Sequence, residues 1–187
     1  MKTSGSVPLK ANSTHSRRVT VGVTGQHRSQ EVWELNSILV PTDFSRPSNK
    51  ALSYAASIAA KIGAQISLLH VIKPSSVGLQ SETALLHSDP RLPEADNRMR
   101  QLCRKQHVDP HLIRNTLVRE GTPHREITDA ARELKTDLII MATQGHTGLA
   151  HVLLGSTTES VLRNAPCPVL VVREKEREFI QRRTRAD

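Results

Sequence analysis

Aromatic residues are nearly missing from this chain: Phe44, Phe179, Trp33 and Tyr54 make up only 2% of its 187 residues. A core built without them has to be aliphatic and alanine-rich, and base-stacking platforms, which need exposed rings, are argued against. Cysteine is as scarce. Cys103 and Cys167 form neither a CxxC pair nor a His–Cys cluster. That argues against a disulfide framework and a zinc site, and a reducing, cytoplasmic setting is expected. No apolar run approaches the roughly 18 residues of a membrane span, so the chain is not expected to cross a bilayer. No strand-like segment leads into GxSxG, GxxxxGK[ST] or GxGxxG. Hydrolase, P-loop and dinucleotide readings therefore lose their usual support.

What is present is an uneven charge. The formal net charge is +8. Residues 1–35 hold five basic against two acidic groups and residues 173–187 six against four, while the long middle holds fifteen against twelve. Most of the excess sits in the ends. It suggests weak, tail-borne attraction to nucleic acid or other polyanions and no DNA-reading domain. The first 30 residues contain no acid and little apolar matter, so residues 1–35 are expected to be a disordered basic extension. Ser- and Arg-rich, acid-poor composition also describes a transit peptide, although no amphipathic period accompanies it here. Residues 174–187 read as a charged C-terminal tail.

Between the ends, short apolar runs alternate with amphipathic stretches. Ile38-Leu39-Val40 reads as a buried strand running into the loop Pro41-Thr42-Asp43. From Pro47 to Ile62, residues Ala51, Leu52, Ala55, Ile58, Ala59 and Ile62 recur at three- and four-residue steps, which predicts a helix ended by Gly63. Ile66–Ile72 predicts a second strand, Glu94–Gln106 a poorly patterned helix and Leu112–Val118 a third strand. Thr122-Pro123 opens another helix, with Ile127, Ala130, Ala131 and Leu134 on its inner stripe. Asp137–Ala142, with its unbroken apolar run Leu138–Ala142, suits a central parallel strand. A short helix begins near Ser156, and Pro168–Val172 is the fifth strand. The alternation predicts an α/β fold, a doubly wound open parallel sheet covered on both faces.

In such a sheet the ligand crevice lies beyond the carboxyl ends of the strands, where strand order reverses. Two segments occupy those ends: Pro41-Thr42-Asp43-Phe44-Ser45, and the stretch from Ala142 through Gly145, His146, Gly148 and His151 to Gly155-Ser156. The three glycines permit close approach of backbone to a ligand. Ser156-Thr157-Thr158-Glu159 matches a capping box, in which Ser156 accepts from near Glu159. The remaining first-turn amides and three hydroxyls suit a phosphate. A plain glycine turn into a capped helix explains the same residues equally well. Asp43 either holds a ribose diol or caps the following turn or helix. His146 and His151 lack the spacing and the carboxylate of a metal pair. His70, inside the second strand, reads as a core histidine with a backbone partner.

From about Asn36 to Arg173 the chain resembles the universal stress protein family. The resemblance is carried by Ile38-Leu-Val-Pro-Thr-Asp-Phe-Ser45, by Leu68-Leu-His-Val71, and by Gly155-Ser-Thr-Thr-Glu159 with Ala165-Pro-Cys-Pro-Val-Leu-Val-Val172. It implies strand order 3-2-1-4-5 and a domain over residues 36–173. ATP-binding members carry G-x2-G-x9-G-[ST], which falls here on Ala142, Gly145, Gly155 and Ser156, with alanine replacing the first glycine. The resemblance further implies that Pro41, Thr42 and Asp43 meet the nucleoside and that the backbone near Val71 meets the adenine edge. Met141, Ala142, Gly145, His146, Gly155, Ser156, Thr157 and Thr158 would complete the site, with Mg²⁺ carried by the ATP. It implies a homodimer through Val169 to Val172 and a regulatory, stress-response role with little or no turnover. A nucleotide-free dimeric adaptor and a slow ATPase are the alternatives.

Overall fold

A computed structural model describes residues 34–74, 91–144 and 154–175. Five strands and four helices of six or more residues alternate along them. They are β1 (Ser37–Thr42), α1 (Arg46–Ile62), β2 (Gln65–Ile72), α2 (Arg91–Lys105), β3 (Ile113–Glu120), α3 (Pro123–Glu133), β4 (Leu138–Ala142), α4 (Ser156–Asn164) and β5 (Val169–Val172). All registered strand pairs are parallel and the order is β3-β2-β1-β4-β5, as the resemblance implied.

The period-2 alternation of the strands divides the apolar side chains between two layers. Ile38, Val40, Ile66, Leu68 and Ile140 face one way, against Ala51, Leu52 and Ala55 of α1 and Met99 and Leu102 of α2. Leu39, Leu69, Ile139 and Met141 face the other, against Ile127, Ala130 and Ala131 of α3 and Val161 of α4. Small residues at the helix contacts let α1 and α3 lie close to the sheet, which suits a core short of aromatics. Ala51, Ala55, Ala59 and Ala130 are all fully buried.

Several boundaries differ from the sequence reading. Helix α1 starts one residue earlier, at Arg46, with Ser45 as its cap and Pro47 in its first turn. It ends as expected: Gly63 adopts a left-handed φ of 77° and its N–H reaches Ala59 O at 2.9 Å. Ile62, assigned to the inner stripe, is instead 49% exposed. It is the last residue of α1, and β2 starts three residues later. Helix α2 runs from Arg91 to Lys105, three residues earlier at its start and one at its end than expected. Strand β3 runs two residues beyond Val118, past an irregularity in its register with β2 at Ile66/Ser67. The charged Arg119 belongs to the strand because two carboxylates of α3 meet it: Glu133 through hydrogen bonds, one of 3.2 Å, and Glu126 at 3.8 Å.

The basic extension up to Trp33, residues 75–90, the glycine loop at 145–153 and the tail from residue 176 lie outside the described residues. No helix among the described residues is long and apolar enough to cross a membrane.

Candidate nucleotide site at the strand-order reversal

The sheet opens where its order reverses. β1 pairs with β2 along its whole length, as far as Thr42 opposite His70, and β4 pairs with β5 as far as Ala142 opposite Val172. Between β1 and β4 only Ile38/Leu138 and Leu39/Ile139 are registered. The two central strands therefore part toward their carboxyl ends, which is where an open α/β sheet presents its ligand crevice.

On the β1 side the chain turns sharply through Asp43, Phe44 and Ser45. Asp43 Oδ1 accepts the Ser45 N–H at 3.0 Å, and Phe44 N–H donates to Thr42 Oγ1 at 3.1 Å. Asp43 thus braces the turn, while Ser45 caps α1 by accepting from Ser48 N at 3.3 Å. Of the alternatives for Asp43, the helix-cap role is taken by its neighbour. Pro41 and Thr42 are buried and Asp43 is partly open. His70 Nδ1 lies 2.8 Å from the Thr42 carbonyl. A carbonyl only accepts, so Nδ1 carries the proton. The backbone partner anticipated for His70 is therefore present, although the ring is only half-buried. Val71, next along β2, is half-buried opposite Arg119.

On the β4 side, Met141 is buried in the second core layer and Ala142 is 7% exposed. Ala142 lies in regular strand, and the described non-glycine residues with positive φ are Phe44, His107 and Lys135. The alanine in the first motif position is therefore unstrained. Gly155 N–H reaches back to Thr143 O at 2.8 Å. A Cβ on Gly155 would stand 3.2 Å from that same oxygen, so the close return of the chain favours glycine.

The capping box is corrected here. Gly155, not Ser156, is the N-cap of α4, no side chain caps this end, and Glu159 N bonds Gly155 O at 2.9 Å as the first intrahelical bond. The hydroxyls divide as well. Thr158 is buried and its Oγ1 donates to Ala142 O at 3.0 Å, away from the rim, whereas Ser156 is exposed and Thr157 partly so. The first-turn amides have no intrahelical acceptor, because of their position in the helix. They and the positive end of the helix dipole form an anion-favouring surface beside the opening. Gly145 and His146 fall in the loop outside the described residues.

One contributor at this rim, Arg98, is not singled out from the sequence, and neither is the contact between Phe44 and His70. Phe44 has its ring 4.4 Å from that of His70, and the Arg98 guanidinium of α2 lies 4.2 Å from the Phe44 centroid. Beside them, His70, Val71, Lys73, Arg91 and Arg98 help line a cavity of about 400 Å³ between the end of β2 and α2. A periodicity argument has no means of finding Arg98, since its partner lies on another element.

A doubly wound domain with a glycine-capped helix at its switch point is the class of protein these features define. Residues 34–173 match the universal stress protein family, and the chain belongs to it. It is 37% identical over 148 residues to universal stress protein MJ0531 of Methanocaldococcus jannaschii, covering 75% of this chain and 84% of that protein. It is 32% identical to MJ0577 of the same organism, covering 74% and 94%. Among solved structures, that of MJ0577 superposes with a TM-score of 0.65 at 30% identity, covering 78% of this chain and all of the other. The universal stress protein UspA of Lactobacillus plantarum gives 0.61 at 27% identity, covering 75% and 99%. Universal stress proteins solved with cAMP and with dAMP share the fold at 23% and 21% identity, with TM-scores of 0.53 and 0.52 and coverage of 73% and 95%, and 75% and 99%.

Proposed function

We propose that this protein is a stress-response regulatory module that binds ATP in the opening between β1 and β4, with little or no turnover. The observation that carries the reading is the meeting of two features at one rim. One is the Gly155-capped start of α4, whose first-turn amides lack intrahelical partners. The other is the Asp43 turn, braced by Ser45 N–H at 3.0 Å. In this reading Asp43 takes the ribose hydroxyls beside Pro41 and Thr42. The backbone near Val71 meets the adenine edge, and Met141 and Ala142 form the floor. Gly145, His146, Gly155, Ser156, Thr157 and the Thr158 amide hold the phosphates, whose Mg²⁺ arrives with the nucleotide. The solved cAMP and dAMP relatives stand at identities where they speak for the fold alone, so the reading rests on this chain's own residues.

Low turnover is read from the carboxylates at this rim, His146 being the other group on which a slow ATPase would have to rely for proton work. Asp43 is the sole carboxylate among Pro41–Ser45, Met141–Gln144 and Leu154–Thr158. It is already engaged with the turn, and a phosphoryl-transfer site needs a group to orient the attacking water as well as a cradle. The two half-buried free cysteines suit a cytoplasmic setting. β5 is an edge strand with Leu170 37% exposed, and an exposed apolar edge suits pairing with a second copy through Val169–Val172.

Equilibrium dialysis with labelled ATP tests the proposal. The wild type should bind and Gly155→Val should lose binding while staying folded by circular dichroism. Absence of binding by the wild type, or undiminished binding by the variant, rejects it.

A further inference from the structure

Phe44 stands at a place where its residue type is unfavourable. Its φ is 65°, in the left-handed region that glycine occupies freely and a bulky side chain does not. The conformation matters, because the Asp43 carboxylate and the Ser45 N–H it accepts lie on either side of Phe44. Opening that φ separates them. Something must therefore compensate for holding Phe44 there, and three contacts are at hand. Its own N–H bonds Thr42 Oγ1 at 3.1 Å, its ring lies 4.4 Å from His70 at an angle of 42°, and the Arg98 guanidinium lies 4.2 Å from its centroid. His70 is itself fixed by its bond to the Thr42 carbonyl at 2.8 Å. The ring is thus held between β2, which is anchored in the sheet, and α2, which packs on β2 and β3.

We propose that Phe44 is a positioning residue for the site, and that Arg98 of α2 and His70 of β2 clamp its ring so that α2 sets the orientation of the Asp43 carboxylate. The inference rests on the nucleotide reading for its consequence, and on the turn geometry alone for its cause. A cation over an aromatic face attracts the ring's negative quadrupole. Arg98→Ala removes that attraction and leaves Phe44 with half its clamp. Phe44→Ala removes the ring and with it the clamp while keeping a Cβ at the left-handed φ, so the strain is left without its compensating contacts.

Two readouts separate the clamp from the nucleotide reading. The first is hydrogen exchange of the Ser45 amide in the nucleotide-free protein. Its protection should fall about two- to fivefold in Arg98→Ala, more in Phe44→Ala, and recover in part in Arg98→Lys, which keeps the cation. The second is ATP affinity by calorimetry, which should weaken in the same order. Unchanged Ser45 protection in both Arg98→Ala and Phe44→Ala overturns the clamp. A wild type that fails to bind ATP overturns the nucleotide reading, and the exchange data still decide whether the clamp exists.

Discussion

Thr158 Oγ1 donates to the carbonyl oxygen of Ala142 across 3.0 Å, so the first turn of α4 is pinned to the last residue of β4 by a buried hydrogen bond. The Thr42 carbonyl at the end of β1 is met in the same way by His70 Nδ1, at 2.8 Å. β1 and β4 register no pair beyond Leu39/Ile139, and buried carbonyls need partners. Side chains of β2 and α4 supply one at each of these two strand ends.

Removing one of these links tests its worth. Thr158→Val keeps the side-chain shape but strips the donor, leaving the Ala142 carbonyl buried and unmatched. It should cost about 1–3 kcal/mol of stability in urea denaturation, with the slope unchanged.

Restoring the first motif glycine should not improve the protein. Ala142 sits in unstrained strand backbone beside Val172, and glycine in a strand loses about 0.5–1 kcal/mol through added freedom of the unfolded chain. Ala142→Gly should therefore melt at a lower temperature and bind ATP within about threefold of the wild type, a margin under 1 kcal/mol. A large gain in affinity would show that the methyl group crowds the ligand.

Acid should weaken the tie between β3 and α3. The hydrogen bond from Arg119 holds the Glu133 carboxyl below the ordinary carboxylate range; desolvation opposes it in part, and the Arg119 charge adds a smaller lowering. A carboxylate whose folded pKa is depressed stabilises the fold above its unfolded pKa, and that contribution is lost as pH falls through the folded value. Between pH 5 and pH 3 the melting temperature of the wild type should fall more steeply than that of Glu133→Gln, which has no proton to take up there.

The two thiols should be slow to react. Burial pushes the Cys103 thiol up; burial, and then the Asp137 carboxylate, raises that of Cys167. The thiolate is the reactive form, so both should be modified by iodoacetamide at pH 7 more slowly than a free cysteine peptide. Mass spectrometry of tryptic peptides over a time course gives the two rates separately.

If the edge strand β5 joins two copies, a charge on it should separate them. Leu170→Asp places a carboxylate on the 37% exposed position and should shift the protein to monomer in sedimentation equilibrium. A wild type that is monomeric at all concentrations rejects this part of the proposal.

The strands, the main helices and their order along the chain were legible because hydrophobic periodicity is a local property. Ile38–Val40, Asp137–Ala142 and the Ala51–Ala59 stripe each carry their fold in the spacing of neighbours, and Gly63 marks a helix end by its own conformational freedom. Misreadings arose where a residue's role depends on a distant partner. Arg119 fell beyond the expected strand end at Val118, yet two α3 carboxylates meet it within β3, and Ile62 was assigned to the inner stripe although it is exposed.

The site divides the same way. By itself the sequence determined that Asp43 and Gly155-Ser156 end up near the carboxyl ends of parallel strands, since topology follows from element order and handedness. It also determined that a helix starts near Ser156. The tertiary structure alone decided that Gly155 and not Ser156 caps that helix, that Thr158 turns inward to Ala142, and that Arg98 reaches Phe44. Each of these is a contact between elements brought together only by packing. Hydrogen-bond and ring geometry of that kind depends on positions to within an ångström or less, which no pattern of residue types along one chain can specify.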